Sequence, residues 1–359
     1  MTSFNRELMA NVVFVQLGQN PAPTLLNMAK VAKSYLPKSR LILLTDLPEK
    51  WGSFPGEVFN YGFDSRSEVL KALIKRHAEL NGIAGGYWLY TLERIFVLKS
   101  LIEIVKQDEA ILHFESDVFS FVDETLLSEL VKKISKTAVP RYSEARGIGS
   151  ILFSPSIDRL LLDLNSLESL LTENPKLDND MDLFGLALNR GILEELPSRI
   201  EKMQSEAEGV RPKSIYDGLA LGQYLFGQDP LHTGGHKVTG YKNPDFDFNF
   251  CNCHFELGLD GQGELNDLYL VTDSDTFRIA NLHLHSKTVI DIPSRALEEW
   301  NKILMSANSG TPLFSEALHL DHIHSLKISP INKVRRARKV GYANYFKRVI
   351  RNRMGWLLK

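Results

Sequence analysis

Two apolar segments with a helical segment between them constrain the fold more than any other feature of this chain. The first, Asn11 to Leu17, reads NVVFVQL, and the second, Arg40 to Thr45, reads RLILLT. Between them, Thr24 to Tyr35 carries apolar residues at helical spacing. Strand, helix and strand joined by short links predict a βαβ unit, and hence a parallel sheet with a right-handed crossover. The expected fold class is α/β, with a mostly parallel sheet flanked by helices.

The carboxyl ends of these two strands are where a ligand is expected. In open parallel sheets, ligands occupy the crevice beyond the carboxyl ends of the strands. Gln16 and Gly18 lie at the end of the first strand, and Asp46 follows the second. We therefore expect these three residues to face one crevice and to contact a bound ligand.

The remaining segments alternate between helix and strand before a region rich in hairpins. From Gly240 to Ile290, short strand-like runs alternate with turns, which predicts antiparallel hairpins. The other predicted elements are helices at Ser65 to Asn81, Leu89 to about Gln107, Ile157 to Leu171 and from near Tyr216, and strands at Ala110 to Phe114 and Gly149 to Ser154.

Composition is that of a globular protein of enzyme size. Hydrophobic residues make up 43% of the 359 residues, which is enough for a packed core. The chain has no run of eighteen apolar residues, and its first residues lack the features of a secretion signal. A cytoplasmic location is therefore expected. Cys251 and Cys253 would point the same way along a strand, which is poor geometry for a mutual disulfide, and reduced thiols fit that compartment.

Two acidic residues follow the predicted strand Ala110 to Phe114. Glu115 and Asp117 are spaced i, i+2, so both carboxylates would stand where the crevice of the sheet opens. Such oxygen ligands suit a hard cation that bridges a diphosphate. The alternative is that the two acids solvate a loop or cap the following helix.

The order of several motifs resembles that of the GT-A glycosyltransferases over roughly residues 10 to 290. After a helix with Arg94, the motifs are ILHFESDVF, GSILFS, NDMDLFGLAL, YDGLALGQYL and ANLHLHSK. In that family an Arg-bearing helix precedes an Asp-X-Asp strand end. The resemblance implies a nucleotide-sugar donor bound through Mn²⁺ or Mg²⁺, with Asp117 as a metal ligand. Glu115 stands where the family has Asp, and its longer side chain could reach the ribose or a water instead of the ion.

Two late histidines are candidates for the remaining metal ligand. His283 and His285 would fall on one side of a strand, and Lys287 continues that side. The resemblance implies that one histidine binds the ion and that Lys287 contacts the diphosphate, and the choice between the two histidines stays open. A cluster at His319, Asp321, His322 and His324 has irregular spacing and is expected to be a solvated loop or helix end.

Two further carboxylates are candidates for catalysis. Asp180 lies in a stretch that resembles the Glu-Asp-X-Asp-Leu sequence of inverting GT-A enzymes, which implies a general base. The alternative is ordinary capping chemistry at a helix start.

The second carboxylate is Asp217, which with Gln223 lies in a segment resembling retaining, glycogenin-like transferases, where both would lie near the donor sugar. Its alternative is a capped amphipathic helix. Tyr90 and Arg94, one helical turn apart, could stack on the base and bind phosphate, or could form packing and a surface ion pair.

The C-terminal segment differs electrostatically from the rest of the chain. From Lys333 to Lys359 there are ten Lys or Arg and no Asp or Glu, which leaves about −12 on residues 1–330. Basic residues interleaved with apolar and aromatic ones predict an amphipathic helix on an anionic membrane surface. Nucleic-acid binding is the competing interpretation, but no nucleic-acid motif accompanies the charge. A solvated tail, or one that pairs with the acidic body or a second subunit, is a further alternative.

These observations predict three regions. Residues 1–125 would bind the nucleotide sugar, residues 126–330 would complete the domain on the acceptor side, and residues 331–359 would associate with the inner face of the cytoplasmic membrane. The expected activity is metal-dependent transfer of a sugar to a saccharide or lipid-linked glycan. A sugar nucleotidyltransferase is the second candidate, although Gly18 to Pro21 is a poor phosphate loop. The third candidate is a membrane-docked carbohydrate-binding protein without activity.

Overall fold

A computed structural model describes residues 10–18, 22, 24–61, 71–72, 87–177, 179–198, 213–227, 253–261, 265–284 and 297–308. The strands there are β1 (Ala10–Gln16), β2 (Arg40–Thr45), β3 (Glu57–Asn60), β4 (Ala110–Phe114), β5 (Val118–Ser120), β6 (Ala138–Ser143), β7 (Arg146–Gly147), β8 (Ile151–Ser154), β9 (Glu194–Leu196), β10 (Lys213–Tyr216), β11 (Cys253–Leu259), β12 (Leu265–Thr272) and β13 (Thr276–His283). The helices are α1 (Leu25–Tyr35), α2 (Tyr87–Val97), α3 (Glu124–Lys133), α4 (Ile157–Glu173), α5 (Asp180–Asn189), α6 (Ala220–Phe226) and α7 (Leu297–Asn308), with 3₁₀ turns at Pro48–Lys50 and Leu98–Glu103.

The first sheet contains the predicted βαβ unit. Its strand order is β3-β2-β1-β4-β8-β6-β7, with β9 beside β6. Strands β3, β2, β1 and β4 run parallel, β8 pairs antiparallel with β4, and β6 pairs antiparallel with β8 and so runs in the direction of the first four strands. The predicted α/β class, with a mainly parallel sheet flanked by helices, is confirmed.

Both faces of this sheet are buried, and the sequence shows why. In β1, Val12 and Phe14 belong to one hydrophobic core, while Val13 and Val15 belong to the other. Alternate residues of a strand point to opposite faces, so a continuous apolar run fills a core on each side. The first core includes α1 and the second sheet, and the second core includes α2, α4 and α5. The two cores fix the carboxyl ends of the parallel strands at one edge.

A second sheet forms from the C-terminal strands. Its order is β10-β13-β12-β11, and β11, β12 and β13 are joined as antiparallel hairpins, as predicted. Strand β5, which begins four residues after β4 ends, pairs with the end of β13 so that Val118 lies opposite His283. The turn between β4 and β5 therefore connects the two sheets.

Two predicted helices differ from those observed. The helix expected from Leu89 to Gln107 ends as an α-helix at Val97 and continues as a 3₁₀ turn to Glu103. Lys99 in that turn forms an ion pair with Glu168 of α4, at 2.6 Å, so the turn packs on α4. No Gly or Pro marks the change, which is why the sequence did not reveal it.

The helix expected near Tyr216 is also placed differently. Tyr216 ends strand β10 and pairs with Asn281, and helix α6 begins only at Ala220. Tyr216 is also buried in the first hydrophobic core, and aromatic residues are favoured in strands.

Several predictions concern residues outside those described. The helix from Ser65 to Asn81, the cluster from His319 to His324 and the tail at 331–359 lie wholly or mostly there. Among the described residues, no helix is long and apolar enough to cross a bilayer. The boundary expected at residue 125 stays a prediction, and the first sheet takes strands from both sides of it.

Candidate functional site

Three potential metal ligands meet where the two sheets join. Glu115, Asp117 and His283 each offer one ligand atom, and these atoms all lie within 4.8 Å of one another. His283 Nε2 is 3.6 Å from Glu115 Oε2 and 3.6 Å from Asp117 Oδ1. Both separations exceed the length of a typical hydrogen bond. Among the described residues this is the one such group of three.

Backbone hydrogen bonds hold the turn that carries the two acids. The amide of Glu115 donates to Ser150 O at 2.9 Å, and the amide of Val118 donates to Glu115 O at 3.2 Å. Leu284 N donates to Asp117 O at 2.8 Å, which ties the turn to the residue after β13. The turn is thus fixed from the first sheet on one side and from the second on the other.

The ring of His283 is held in one orientation. Its Nδ1 lies 2.6 Å from the carbonyl oxygen of Gly218. A carbonyl only accepts, so Nδ1 carries the proton and Nε2 faces Glu115 and Asp117. Burial acts to lower the pKa of His283, but the charges of Asp117 and Glu115 outweigh it and raise the pKa to about 9. The ring is therefore both oriented and placed in a negative field.

Arg94 of α2 joins Glu115 to a second carboxylate. Its Nη2 is 2.5 Å from Glu115 Oε1 and 3.6 Å from Asp180 Oδ2. Glu115 thus divides its oxygens, with Oε1 on Arg94 and Oε2 toward His283. Glu115 is therefore shared between Arg94 and the group that it forms with Asp117 and His283.

Asp180 does not cap its own helix. The cap of α5 is Asn179, whose Oδ1 accepts from the amide of Asp182 at 2.8 Å. The Asp180 side chain instead lies toward Arg94 and Thr91, and it is 4% exposed. Burial raises the pKa of Asp180, Arg94 opposes that shift and Glu115 reinforces it. The structure thus shows the ordinary capping arrangement, with Asn179 as the cap and Asp180 in the first turn, and it also places the Asp180 carboxylate near Arg94.

Asp217 lies behind His283. Its Oδ2 accepts from the amides of Gly222 at 2.7 Å and His283 at 3.0 Å, and its Oδ1 accepts from Leu221 N at 3.0 Å. Burial is the main cause that raises the pKa of Asp217. The structure therefore brings Asp217 to the site, but as a partner of backbone amides. Gln223 is buried in α6.

The residues expected at the ends of β1 and β2 do lie together. Gly18 N donates to Asp46 Oδ1 at 3.0 Å and to Oδ2 at 3.1 Å, and Gly18 has a φ of 84°. Gln16 Oε1 accepts from Ala22 N at 3.2 Å. Their contact with a ligand stays a prediction.

The side chains of three predicted site residues are outside the part of the chain that the structure describes. Tyr90 belongs to α2, but its side chain is not described, and His285 and Lys287 follow the last described residue of that segment. The choice between the two histidines therefore rests on the position of His283 alone.

Sequence reasoning did not predict the contacts that support the site, although the polar residue Asn281 suggested that its strand faces the site. Gly218 supplies the carbonyl that orients His283, and Asn281 brackets the Asp217 peptide with hydrogen bonds at 3.1 and 2.8 Å. Gly222 lets α6 approach β13, since an added Cβ would come within 1.9 Å of His283 O. The two glycines in YDGLALG were the available signal, because a glycine at a helix start or interior often marks close backbone approach.

Comparison with known proteins gives similarities of fold only. No protein-family model matches the chain, and no curated protein matches it. Among solved structures, the glycosyltransferase GlyE of Streptococcus pneumoniae TIGR4 is 16% identical over 53% of this chain and 45% of that chain, with a TM-score of 0.35. The match thus spans less than half of GlyE.

Two further structures resemble the chain to a similar degree. Mouse xyloside xylosyltransferase 1 is 10% identical over 53% of this chain and 86% of that one, with a TM-score of 0.35. The galactosyltransferase LgtC, solved with donor and acceptor sugar analogues, is 12% identical over 56% and 80%, with a TM-score of 0.34. At these values the likeness concerns general architecture, and the candidate site stands on the geometry of its own residues.

Proposed function

We propose that this chain is a metal-dependent glycosyltransferase that moves a sugar from a nucleotide-sugar donor to a saccharide or lipid-linked glycan. The observation that carries the proposal is the convergence of Glu115, Asp117 and His283 within 4.8 Å at the carboxyl end of a parallel strand. Ligands of open α/β sheets bind at that edge. The order of motifs along the chain supports the same assignment.

The donor set fits a divalent cation, and the imidazole favours Mn²⁺ over Mg²⁺. Mg²⁺ prefers oxygen ligands throughout, whereas a transition metal tolerates a ring nitrogen. Asp117 and His283 would hold the ion, and Glu115 would do so while bound to Arg94. When bound, the ion supplies positive charge that stabilises the departing diphosphate.

Asp180 is the residue that we propose as general base. Its carboxylate lies beside Arg94, and burial raises its pKa, which makes it a stronger proton acceptor than a solvated carboxylate. Asp217 is the poorer candidate because its oxygens already accept from three backbone amides. A base acting directly on the acceptor implies inversion at the anomeric carbon, so Asp180→Asn is expected to abolish transfer while donor binding persists.

The activity is tested with a panel of nucleotide sugars, with and without Mn²⁺, using wild type and Asp117→Ala. Donor hydrolysis should require the ion and fall to background in the variant. Asp158→Ala, which removes an exposed carboxylate at the start of α4, is the matched control and should behave as wild type. Turnover that is unaffected by Asp117→Ala, or a lack of donor binding in any metal, contradicts the proposal.

The same assay separates the other two classes. A nucleotidyltransferase would instead form a sugar nucleotide from a nucleoside triphosphate and a sugar phosphate. A carbohydrate-binding protein would retain glycans without turnover, whether or not Asp117 is present.

The basic segment at 331–359 supports a proposal about location and acceptor. Its ten cations would bind anionic headgroups on the inner face of the cytoplasmic membrane and bring the site to lipid-linked acceptors. Truncation after Pro330 should abolish flotation with anionic vesicles and leave donor hydrolysis intact. Equal flotation of both forms would contradict this assignment. Nucleic acid is not an expected partner.

A further inference from the structure

His283, the last residue of β13, is bound through its backbone amide by the Asp217 carboxylate. Strand β10 pairs with β13 in parallel, but its register shifts between Ile215 and Tyr216, and the pairing ends at Asn281. Past Asn281, no backbone carbonyl of a described strand accepts from the amide of His283 on the side of β13 that faces β10. Oδ2 of Asp217 accepts instead, at 3.0 Å.

The same carboxylate fixes the first turn of α6. It accepts from Leu221 N at 3.0 Å and Gly222 N at 2.7 Å, so one side chain joins the start of a helix to the end of a strand. Between these anchors lies Gly218, whose carbonyl accepts from the Nδ1 proton of the His283 ring. Backbone and ring of His283 are thus both set by the segment that begins at Asp217.

Close packing makes this arrangement stiff. A Cβ on Gly222 would come within 1.9 Å of His283 O, so the helix lies directly against the strand. Asn281, which is fully buried, accepts from Asp217 N at 3.1 Å and donates to Asp217 O at 2.8 Å. Asp217 therefore cannot shift without moving the strand end that carries the imidazole.

We propose that Asp217 is the positioning residue for His283 as a metal ligand. This inference rests on the proposed metal-dependent function and assigns Asp217 a role outside the chemical step. A ligand held in one rotamer loses less freedom when it binds an ion, and residues that orient ligating histidines usually change metal affinity about 10- to 100-fold when substituted.

The variant that tests the inference is Asp217→Asn, compared with Asp163→Asn. Asparagine offers one acceptor oxygen in place of two and turns a donor toward backbone amides. Asp163 is the matched control because it is equally buried and accepts from a backbone amide, Thr137 N, at 2.8 Å, and its ion pair with Arg159 lies on α4. Both substitutions should lower stability, but only one should affect the ion.

The measurements are Mn²⁺ affinity by calorimetry and the nitrogen modulation in the electron spin echo of bound Mn²⁺. Asp217→Asn should raise the Kd about 10- to 100-fold and weaken the modulation from the imidazole nitrogen. Asp163→Asn should leave both at wild-type values. All measurements are made well below the unfolding midpoint of each variant.

Each outcome decides a separate question. If wild type binds no Mn²⁺, the metal-dependent function fails, and this inference fails with it. If wild type binds Mn²⁺ but Asp217→Asn has the same Kd and modulation, or if Asp163→Asn loses as much, the positioning role is overturned while the function stands. If Asp217→Asn does not fold, Asn281→Ser replaces it as the test, because it removes only the two hydrogen bonds between Asn281 and the backbone of Asp217. This variant is expected to raise the Kd for Mn²⁺, and an unchanged Kd overturns the inference.

Discussion

Two buried histidines, His113 and His283, make the same kind of hydrogen bond at Nδ1, but their pKa values shift in opposite directions. Each ring donates its Nδ1 proton to a backbone carbonyl, His113 to Val13 O at 3.0 Å and His283 to Gly218 O at 2.6 Å. The difference lies at the other nitrogen. Nε2 of His283 faces two carboxylates, whereas Nε2 of His113 is buried with no hydrogen-bond partner among the described residues.

The pKa values follow from those surroundings. Burial, aided by the positive charge of Arg94, lowers the pKa of His113 to about 3. Burial also acts to lower the pKa of His283, but Asp117 and Glu115 reverse it and raise the pKa to about 9. Burial alone therefore does not decide the state of a histidine. Nearby charge decides it, and only His283 is placed to accept a cation in exchange for its proton.

The largest expected difference between the two histidines is in metal binding. His283→Ala removes a ligand and should raise the Kd for Mn²⁺ by more than about 100-fold, the upper range for residues that only orient a ligand. His113→Asn, which keeps a donor for Val13 O, should leave the Kd unchanged. Calorimetric titration of both variants measures this, and equal losses would mean that His283 is not a ligand.

The second difference is in stability at acid pH. The folded pKa of His113 lies below its unfolded value of 6.5, so the unfolded state binds the extra proton between pH 6.5 and about 3. Stability should thus fall with decreasing pH by about 1.4 kcal/mol per unit in that window. His113→Asn should reduce the slope by that amount in urea unfolding series.

In metal-free protein, the contribution of His283 to the pH dependence of stability should have the opposite sign. Its folded pKa lies above the unfolded value, so its contribution is complete below pH 6.5 and is lost as pH rises toward about 9. In the presence of a chelator, wild type should lose about 1.4 kcal/mol per pH unit relative to His283→Ala over this narrower window. Identical alkaline slopes for the two proteins would show that the ring is neutral.

The smallest expected effect concerns the charge of Arg94. Arg94→Gln removes the cation that helps to lower the pKa of His113, so that pKa should rise but stay below 6.5 because burial is the larger cause. The pKa of Asp180 should rise further, since Arg94 opposes its shift. Proton NMR titration of the His113 ring measures the first change, and a downward movement would contradict the assignment.

Local patterns predicted part of the architecture. The apolar runs of β1, β2 and β4 and the spacing of α1 and α4 are set by residues near in sequence, and the structure has these elements within a few residues of the predicted bounds. The 3₁₀ turn after Val97 was missed because packing on α4, which is distant in sequence, accompanies it.

The candidate site was predicted in its residue types and only partly in its arrangement. Glu115 and Asp117 stand at a strand end, which a single segment reveals. Arg94 binds Glu115 and lies near Asp180, and Asp217 accepts from backbone amides. These contacts include residues that lie between 21 and 86 positions apart in the sequence. The order of motifs indicated that these residues lie near one another, but it could not predict which residue contacts which.

The sequence by itself determined an α/β chain whose first parallel strands end in polar and acidic residues, because periodicity and strand-end chemistry are local properties. Only the tertiary structure decided that His283 meets Glu115 and Asp117, since β5 pairs with β13 across more than 150 residues. It also decided in which of the two buried histidines the pKa is raised and in which it is lowered. Coulombic interaction acts through space, and folding alone determines which charges lie near a given ring.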